Sequence, residues 1–174
     1  MELLSIASGS SGNCYYVGNE ETHLLVDAGV SGKKIETALN EIDRKPSDLN
    51  GILVTHEHID HVKGLGVMAR KHGIPIYTTG GTISEIKKMS SVGTIDDSLF
   101  HEIEPDEPFF INDLSIDASA IWHEAADPVC YSISDGKSKF SIATDMGNFD
   151  DYVVNKLKNS DIMVIEANHD IRML

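Results

Sequence analysis

The chain has 174 residues, 41% of them hydrophobic, which suits one globular domain with a sizeable core. Lys plus Arg is 14 and Asp plus Glu is 28, a net charge of −14, so the surface as a whole repels a phosphate backbone. No run of about 18 apolar residues exists, and Met1-Glu2-Leu3-Leu4-Ser5 has neither a basic nor a long apolar stretch, so neither a membrane span nor a secretory signal is expected.

Tyr15-Tyr16-Val17, a turn over Gly18 to Glu21, and Thr22 to Val26 read as strand, turn, strand, closed by Asp27-Ala28-Gly29. A helix follows, with Ile35, Ala38, Leu39 and Ile42 on one face. Lys45 to Asn50 is polar and loop-like, and Ile52-Leu53-Val54 is an apolar strand. Val62, Leu65, Met68 and Ala69 then repeat at helical spacing, with Gly73 as the stop. Ile74 to Thr78 is the next strand, and Thr82 with Glu85 predicts a capping box for a short helix through Met89.

The second half changes character. Phe109 to Ile111, Asn112-Asp113 and Leu114 to Ile121 predict a hairpin. Val129, Tyr131 and Ile133 alternate, Asp135-Gly136 signals a turn, and Phe140, Ile142 and Thr144 alternate again. Asp150 to Leu157 reads as a helix and Ile162 to Ile165 as the last strand. Each half runs hairpins, helix, strand, which predicts a single α/β domain over 1–174 with two sheets face to face and helices outside. Cys14 and Cys130 lie far apart without a CxxC pair, so reduced, buried thiols in a cytosolic chain are expected.

The chemistry concentrates in Thr55-His56-Glu57-His58-Ile59-Asp60-His61, directly after the apolar strand. Imidazole and carboxylate hold borderline and hard divalent metals. His56 and His58, two apart in a turn, point the same way; Asp60 and His61 face a second position nearby. One ion rarely needs four ligands from six residues, so two adjacent ions are expected, and bound cations are the local positive charge that nucleic acid would need. His123 follows Ser119 to Trp122, and Asp145 follows Ser141 to Thr144. Alone, His123 is equally a core-edge histidine and Asp145 an Asp-x-Gly turn. Their joint placement behind strands favours ligands, with Asp145 able to bridge. His23, His72 and His101 lack ligand company and read as surface residues. Lys33-Lys34, Arg70-Lys71 and Lys87-Lys88 read as solvated helix faces.

His56 to His61 resembles the HxHxDH signature of the metallo-β-lactamase superfamily, and Leu25 to Gly29 resembles its upstream Asp motif, in which the Asp supports the His turn without binding metal. Ser8-Gly9-Ser10-Ser11-Gly12-Asn13, His123 to Pro128 and Glu166 to Asp170 resemble the WalJ/YycJ-type branch. The resemblance implies an αββα sandwich of two mixed sheets with outer helices. It also implies a phosphodiesterase, most specifically a 5′→3′ DNA exonuclease working with two divalent ions (zinc or manganese, iron as a third option) and a hydroxide between them. His56, His58 and His123 would hold the first ion; Asp60 and His61 the second; Asp145 would bridge. Asp60 would also orient the hydroxide. His169 is the candidate proton donor to the leaving group, or else a structural histidine.

The same resemblance places a last metal-binding His on a loop beyond position 174, so the second half is expected to be incomplete at its C-terminus and this chain itself inactive. Two other functions share the ligands: hydrolysis of a thioester or lactone, and a non-catalytic metal- or DNA-binding module with a degenerate second site. The glycine- and serine-rich entry and the His169 motif favour phosphodiesters.

Overall fold

The structure is a computed structural model that describes residues 1–148 and 150–165. Two mixed sheets stack between helical layers. The first has the order β1-β2-β3-β4-β5-β6: β1 (Glu2–Ala7), β2 (Cys14–Gly18), β3 (His23–Val26), β4 (Gly51–Leu53), β5 (Ile76–Thr78) and β6 (Phe100–Glu102). Its β1 to β3 pairs are antiparallel and those from β3 onward parallel. The second runs β11-β10-β9-β8-β7, made of β7 (Phe109–Ile111), β8 (Leu114–Ala120), β9 (Val129–Ser134), β10 (Lys139–Ala143) and β11 (Ile162–Ile165). Only β10 and β11 pair in parallel there.

The strand period of two explains the layers. On β2 and β3, Tyr16 and Leu25 point to the helices, while Tyr15, Val17, Leu24 and Val26 point to the other sheet. Both faces are covered, so these strands read as continuous apolar runs. Ile116, Ala118, Tyr131, Ile133 and Ile142 answer from the second sheet. Helices α1 (Gly32–Glu41), α3 (Leu65–His72) and α4 (Gly80–Lys88) cover the first sheet, burying Ile35, Leu39, Met68 and Ile86. On the outer face of the second, α5 (Asp151–Leu157) packs Val153 and Leu157 on Cys130 and Ala143. The expected αββα sandwich is the observed one. Cys14 and Cys130 are buried and unbridged.

Several local expectations are corrected. Strands β1 and β6 were not foreseen; both lie at sheet edges, none of their residues is fully buried, and β6 has Phe100 as its one apolar residue. The helix expected from Val62 to Gly73 is two, α2 (Ile59–Val62) and α3, because Gly64 N–H turns aside to donate to Ala28 C=O at 2.7 Å. The stop at Gly73 is as expected, with φ of 66°. The capping box at Thr82 does not form. Thr79 is the N-cap, Thr82 is buried one turn inside, and Glu85 pairs with Lys88 at 2.7 Å. His23 is buried, not a surface residue, because it lies on the helix-side face of β3 beside Tyr16 and near Arg44; its Nδ1 lies 2.8 Å from Tyr16 Oη. Arg70 is exposed as expected, but its Nη1 also donates to the carbonyls of Val92 and Thr94 and pins that loop.

Candidate metal centre

The chain leaves β3, β4, β8 and β10 toward one edge of the sandwich, and each exit delivers a side chain: Asp27, the turn His56 to His61, His123 and Asp145. Asp27 and Asp145 both sit in the left-handed region, at φ of 60° and 56°. Asp tolerates that region better than most residues, and each is followed two positions later by Gly. Gly29 has a separate reason: a Cβ there would lie 1.6 Å from Asp60 C=O, so only glycine lets this loop touch the His turn.

Asp27 organises the turn from beneath. Its Oδ1 accepts Thr55 N–H at 2.8 Å, its Oδ2 accepts the Thr55 hydroxyl at 2.9 Å, and Oδ2 lies 2.8 Å from His61 Nδ1. That contact commits His61 Nδ1–H to Asp27 and turns Nε2 to the site. Thr55 Oγ1 lies 3.0 Å from His56 Nδ1, so His56 likewise turns Nε2 inward. His58 is held by Nε2 on Glu124 C=O at 3.1 Å and presents Nδ1, which lies 3.1 Å from His123 Nε2. Glu57 ties the two loops together by accepting Ala126 N–H at 2.8 Å.

The imidazoles of His56, His58, His61 and His123 thus crowd together, His56 lying 4.1–4.6 Å from the other three by ring centroid. Among the described residues two compact donor groups result: His56, His58 and His123, and His56, His61 and Asp145. His56 is common to both, whereas the sequence reading gave the shared place to Asp145. Asp145 Oδ2 lies 3.0 Å from His61 Nε2. Asp60 stands at the rim, its Oδ2 3.6 Å from His61 Nε2, outside both groups. His169 lies outside the described residues. His72 pairs with Glu36, and exposed His101 stacks on Tyr77; neither approaches the site.

The electrostatics fit a cation. Burial, reinforced by the other three imidazoles, pushes His56 down to about 2, so it stays a neutral base. Its Nε2 is buried and has no hydrogen-bond partner among the described residues, an arrangement that is costly unless something accepts the lone pair. Burial also lowers His123. At His61 burial acts downward, but the Asp27 charge and hydrogen bonds to Asp145 and Asp27 outweigh it and raise the group to about 10. Burial acts to raise the Asp145 carboxyl, but the hydrogen bond and charge of His61 together with His56 and His123 outweigh it, holding the carboxyl below the usual range. Neutral His56 with its buried lone pair, a lowered His123 and an ionised Asp145 make a donor set for divalent metal, and a cation at His61 would displace its extra proton.

Sequence reasoning singled out the ligand-type residues, but gave no role to Thr55, which anchors both His56 and Asp27, or to Asn13, whose Nδ2 lies 3.0 Å from His61 Nε2. Thr55 was visible beside the motif; its role arises only from tertiary contacts.

Comparison with known proteins points the same way. A family model described as a β-lactamase superfamily domain matches residues 22–173. The chain is 41% identical over 169 residues to exodeoxyribonuclease WalJ of Streptococcus pneumoniae (strain D39), covering 97% of this chain and 63% of that protein. It is 37% identical to exodeoxyribonuclease YycJ of Bacillus anthracis, with the same coverages. The chain therefore spans less than two thirds of the length of these relatives. Among solved structures, the metallo-β-lactamase fold protein YhfI from Bacillus subtilis superposes with a TM-score of 0.70 at 17% identity, over 92% of this chain and 69% of that one. A Cronobacter sakazakii metallo-β-lactamase with an HARLDQ motif gives 0.72 at 13%, over 94% and 76%.

Proposed function

Because the chain belongs to the metallo-β-lactamase superfamily, we propose that it is the metal-binding part of a phosphodiesterase, most specifically a 5′→3′ DNA exonuclease. The observation that carries the reading is the convergence of His56, His58, His61, His123 and Asp145 around His56 Nε2, which has no partner among the described residues. The names of the relatives turn a generic hydrolase toward nucleic acid.

Two divalent cations are the cofactor of this reading, with zinc and manganese both compatible with imidazole and carboxylate and iron a third option. His56, His58 and His123 would hold one, Asp60 and His61 the other, and Asp145 would bridge. Such cations bring the pKa of water near ~7 and offset charge on phosphoryl oxygens. The chain's own part is orientation. Asp27 and Thr55 lock the imidazole rings, and Asp60, at the open rim, would orient the attacking hydroxide. His169 would protonate the leaving group. Free, buried cysteines agree with a reducing compartment, so we assign the protein to the cytoplasm. Among the described residues no helix is long and apolar enough to cross a membrane.

The test is metal-dependent cleavage of a 5′-labelled DNA by the protein carrying this domain, with Asp145→Ala beside it. The variant is expected to lose all cleavage above background. Cleavage that persists rejects the bridging role, and turnover of an acyl-glutathione with none of DNA rejects the nuclease reading.

A further inference from the structure

Asn13 is 3% exposed and its side chain ends at the site, 3.0 Å from His61 Nε2. It closes the loop between β1 and β2, and that loop decides which end of the amide faces inward. Gly9 N–H donates to Asn13 Oδ1 at 3.0 Å, and the Tyr15 hydroxyl lies 3.5 Å from the same oxygen. A backbone N–H is only a donor, so the amide oxygen is committed to the loop. The nitrogen must then face His61, 3.0 Å from its Nε2. The backbone leaves little freedom to turn. Asn13 N–H donates to Asp60 C=O at 2.7 Å, and Asn13 C=O accepts Gly29 N–H at 2.8 Å.

A primary amide nitrogen has two hydrogens and no lone pair to give a cation. His61 Nε2 can accept from Asn13 only while it carries neither a proton nor a metal ion; with a metal ion on it, the buried amide donor is left without that partner. An aspartate at 13 would satisfy Gly9 N–H equally and set one more oxygen beside the cation, in a site that already uses Asp60 and Asp145. Asparagine instead points a donor at the cation's edge. The group that satisfies such a donor is an anionic oxygen that the cation also attracts. We propose that Asn13 Nδ2 donates to a phosphoryl oxygen of the substrate on the Asp60–His61 side of the site. The assignment rests on the phosphodiester reading for the identity of the anion. It makes Asn13 a substrate-touching residue, supplied by the entry loop and not by any metal motif.

Inorganic phosphate is the probe. Manganese content, phosphate affinity and DNA turnover are measured for the manganese-loaded protein and for Asn13→Asp and Asn13→Ala. Asn13→Asp keeps an acceptor for Gly9 N–H but loses the donor; Asn13→Ala loses the donor without adding charge. Both are expected to keep wild-type manganese content, to bind phosphate about tenfold or more weakly, and to lose about 10²–10³ in kcat with a smaller change in KM. Manganese affinity is expected to rise in Asn13→Asp alone. Wild-type phosphate affinity in either variant, or reduced manganese content in Asn13→Asp, overturns the proposal; the second result would make Asn13 a positioning residue for His61. A wild-type protein that retains no phosphate overturns it as well. Phosphate binding that depends on Asn13, in a protein that cleaves no DNA, rejects the nuclease reading and leaves the donor in place.

Discussion

Asp27 and His61 share a hydrogen bond of 2.8 Å in a fully buried setting, and the rest of the turn depends on it. The same carboxylate takes both Thr55 donors, so one side chain fixes the tautomer of His61 and, through Thr55, the orientation of His56. Partners of this kind are worth about 10–100-fold in metal affinity. Asp27→Asn is therefore expected to weaken cation binding by that factor while keeping the fold, as read by metal titration against a competing chelator; unchanged affinity would contradict the role. His23 gives a second expectation, far from the metal ligands. Burial, with the nearby Arg44, lowers its pKa, against a smaller pull from Asp48 and Glu2. Neutral His23 accepts from the Tyr16 hydroxyl, and protonation removes that acceptor. The unfolded chain, with an ordinary imidazole near ~6.5, binds more protons than the folded one below that pH. This contribution is thus present above about pH 6.5 and is lost as pH falls toward the depressed folded value. Denaturation midpoints at pH 5.5 and 7.5, with chelator present, are expected to differ more for the wild type than for His23→Gln. Equal differences would remove His23 as the cause.

Loops and strand ends decide whether these side chains meet. Gly73 and Gly29 separate two uses of glycine. Gly73 sits at φ of 66° with open space around its missing Cβ, so Gly73→Ala is expected to cost about 1 kcal/mol and leave metal affinity unchanged. Gly29→Ala drives a methyl into Asp60 C=O and is expected to displace the Asp60–His61 turn, weakening cation binding as well as stability. Chemical denaturation with metal titration checks both; equal metal affinity in the two variants would show that the close contact at Gly29 is dispensable. The sequence was most legible where an element carries its own signal. Central strands β2 to β4 and β8 to β10 show apolar runs or alternation, α1 and α5 show helical spacing, and His56 to His61 lie in one turn. It was least legible where meaning is created by contact. Strands β1 and β6 are defined by the neighbour they pair with, Thr82 by a helix whose N-cap lies three residues before it, and His23 by the Tyr16 side chain across the hairpin. Asn13 stood in plain view in a glycine- and serine-rich loop, but only the hydrogen bond from Gly9 shows which way its amide points.

At the scale of the whole molecule, each half brings a strand ending in an Asp-x-Gly corner to the same edge, Asp27 from the first sheet and Asp145 from the second. The inter-sheet core fixes that meeting: Tyr131, buried between the sheets, donates its hydroxyl to Val54 C=O at 3.0 Å, directly behind the His turn. Four imidazoles are thereby forced together in a chain of net charge −14, with a buried lone pair turned to their centre. The fold holds these groups in place at a cost that a cation offsets, so cation binding and global stability must be linked. A ligand present at 100 times its dissociation constant adds about 2.7 kcal/mol. In a domain of this size each kcal/mol moves the melting temperature by about 2–4 °C, so saturating manganese or zinc is expected to raise it by about 5–10 °C over the chelated protein. His56→Ala removes the residue common to both donor groups and is expected to abolish most of that rise. Thermal unfolding with and without metal, for wild type and variant, decides the matter. A wild-type shift under about 1 °C, or an equal shift in His56→Ala, would mean that this cluster is not where the cation binds.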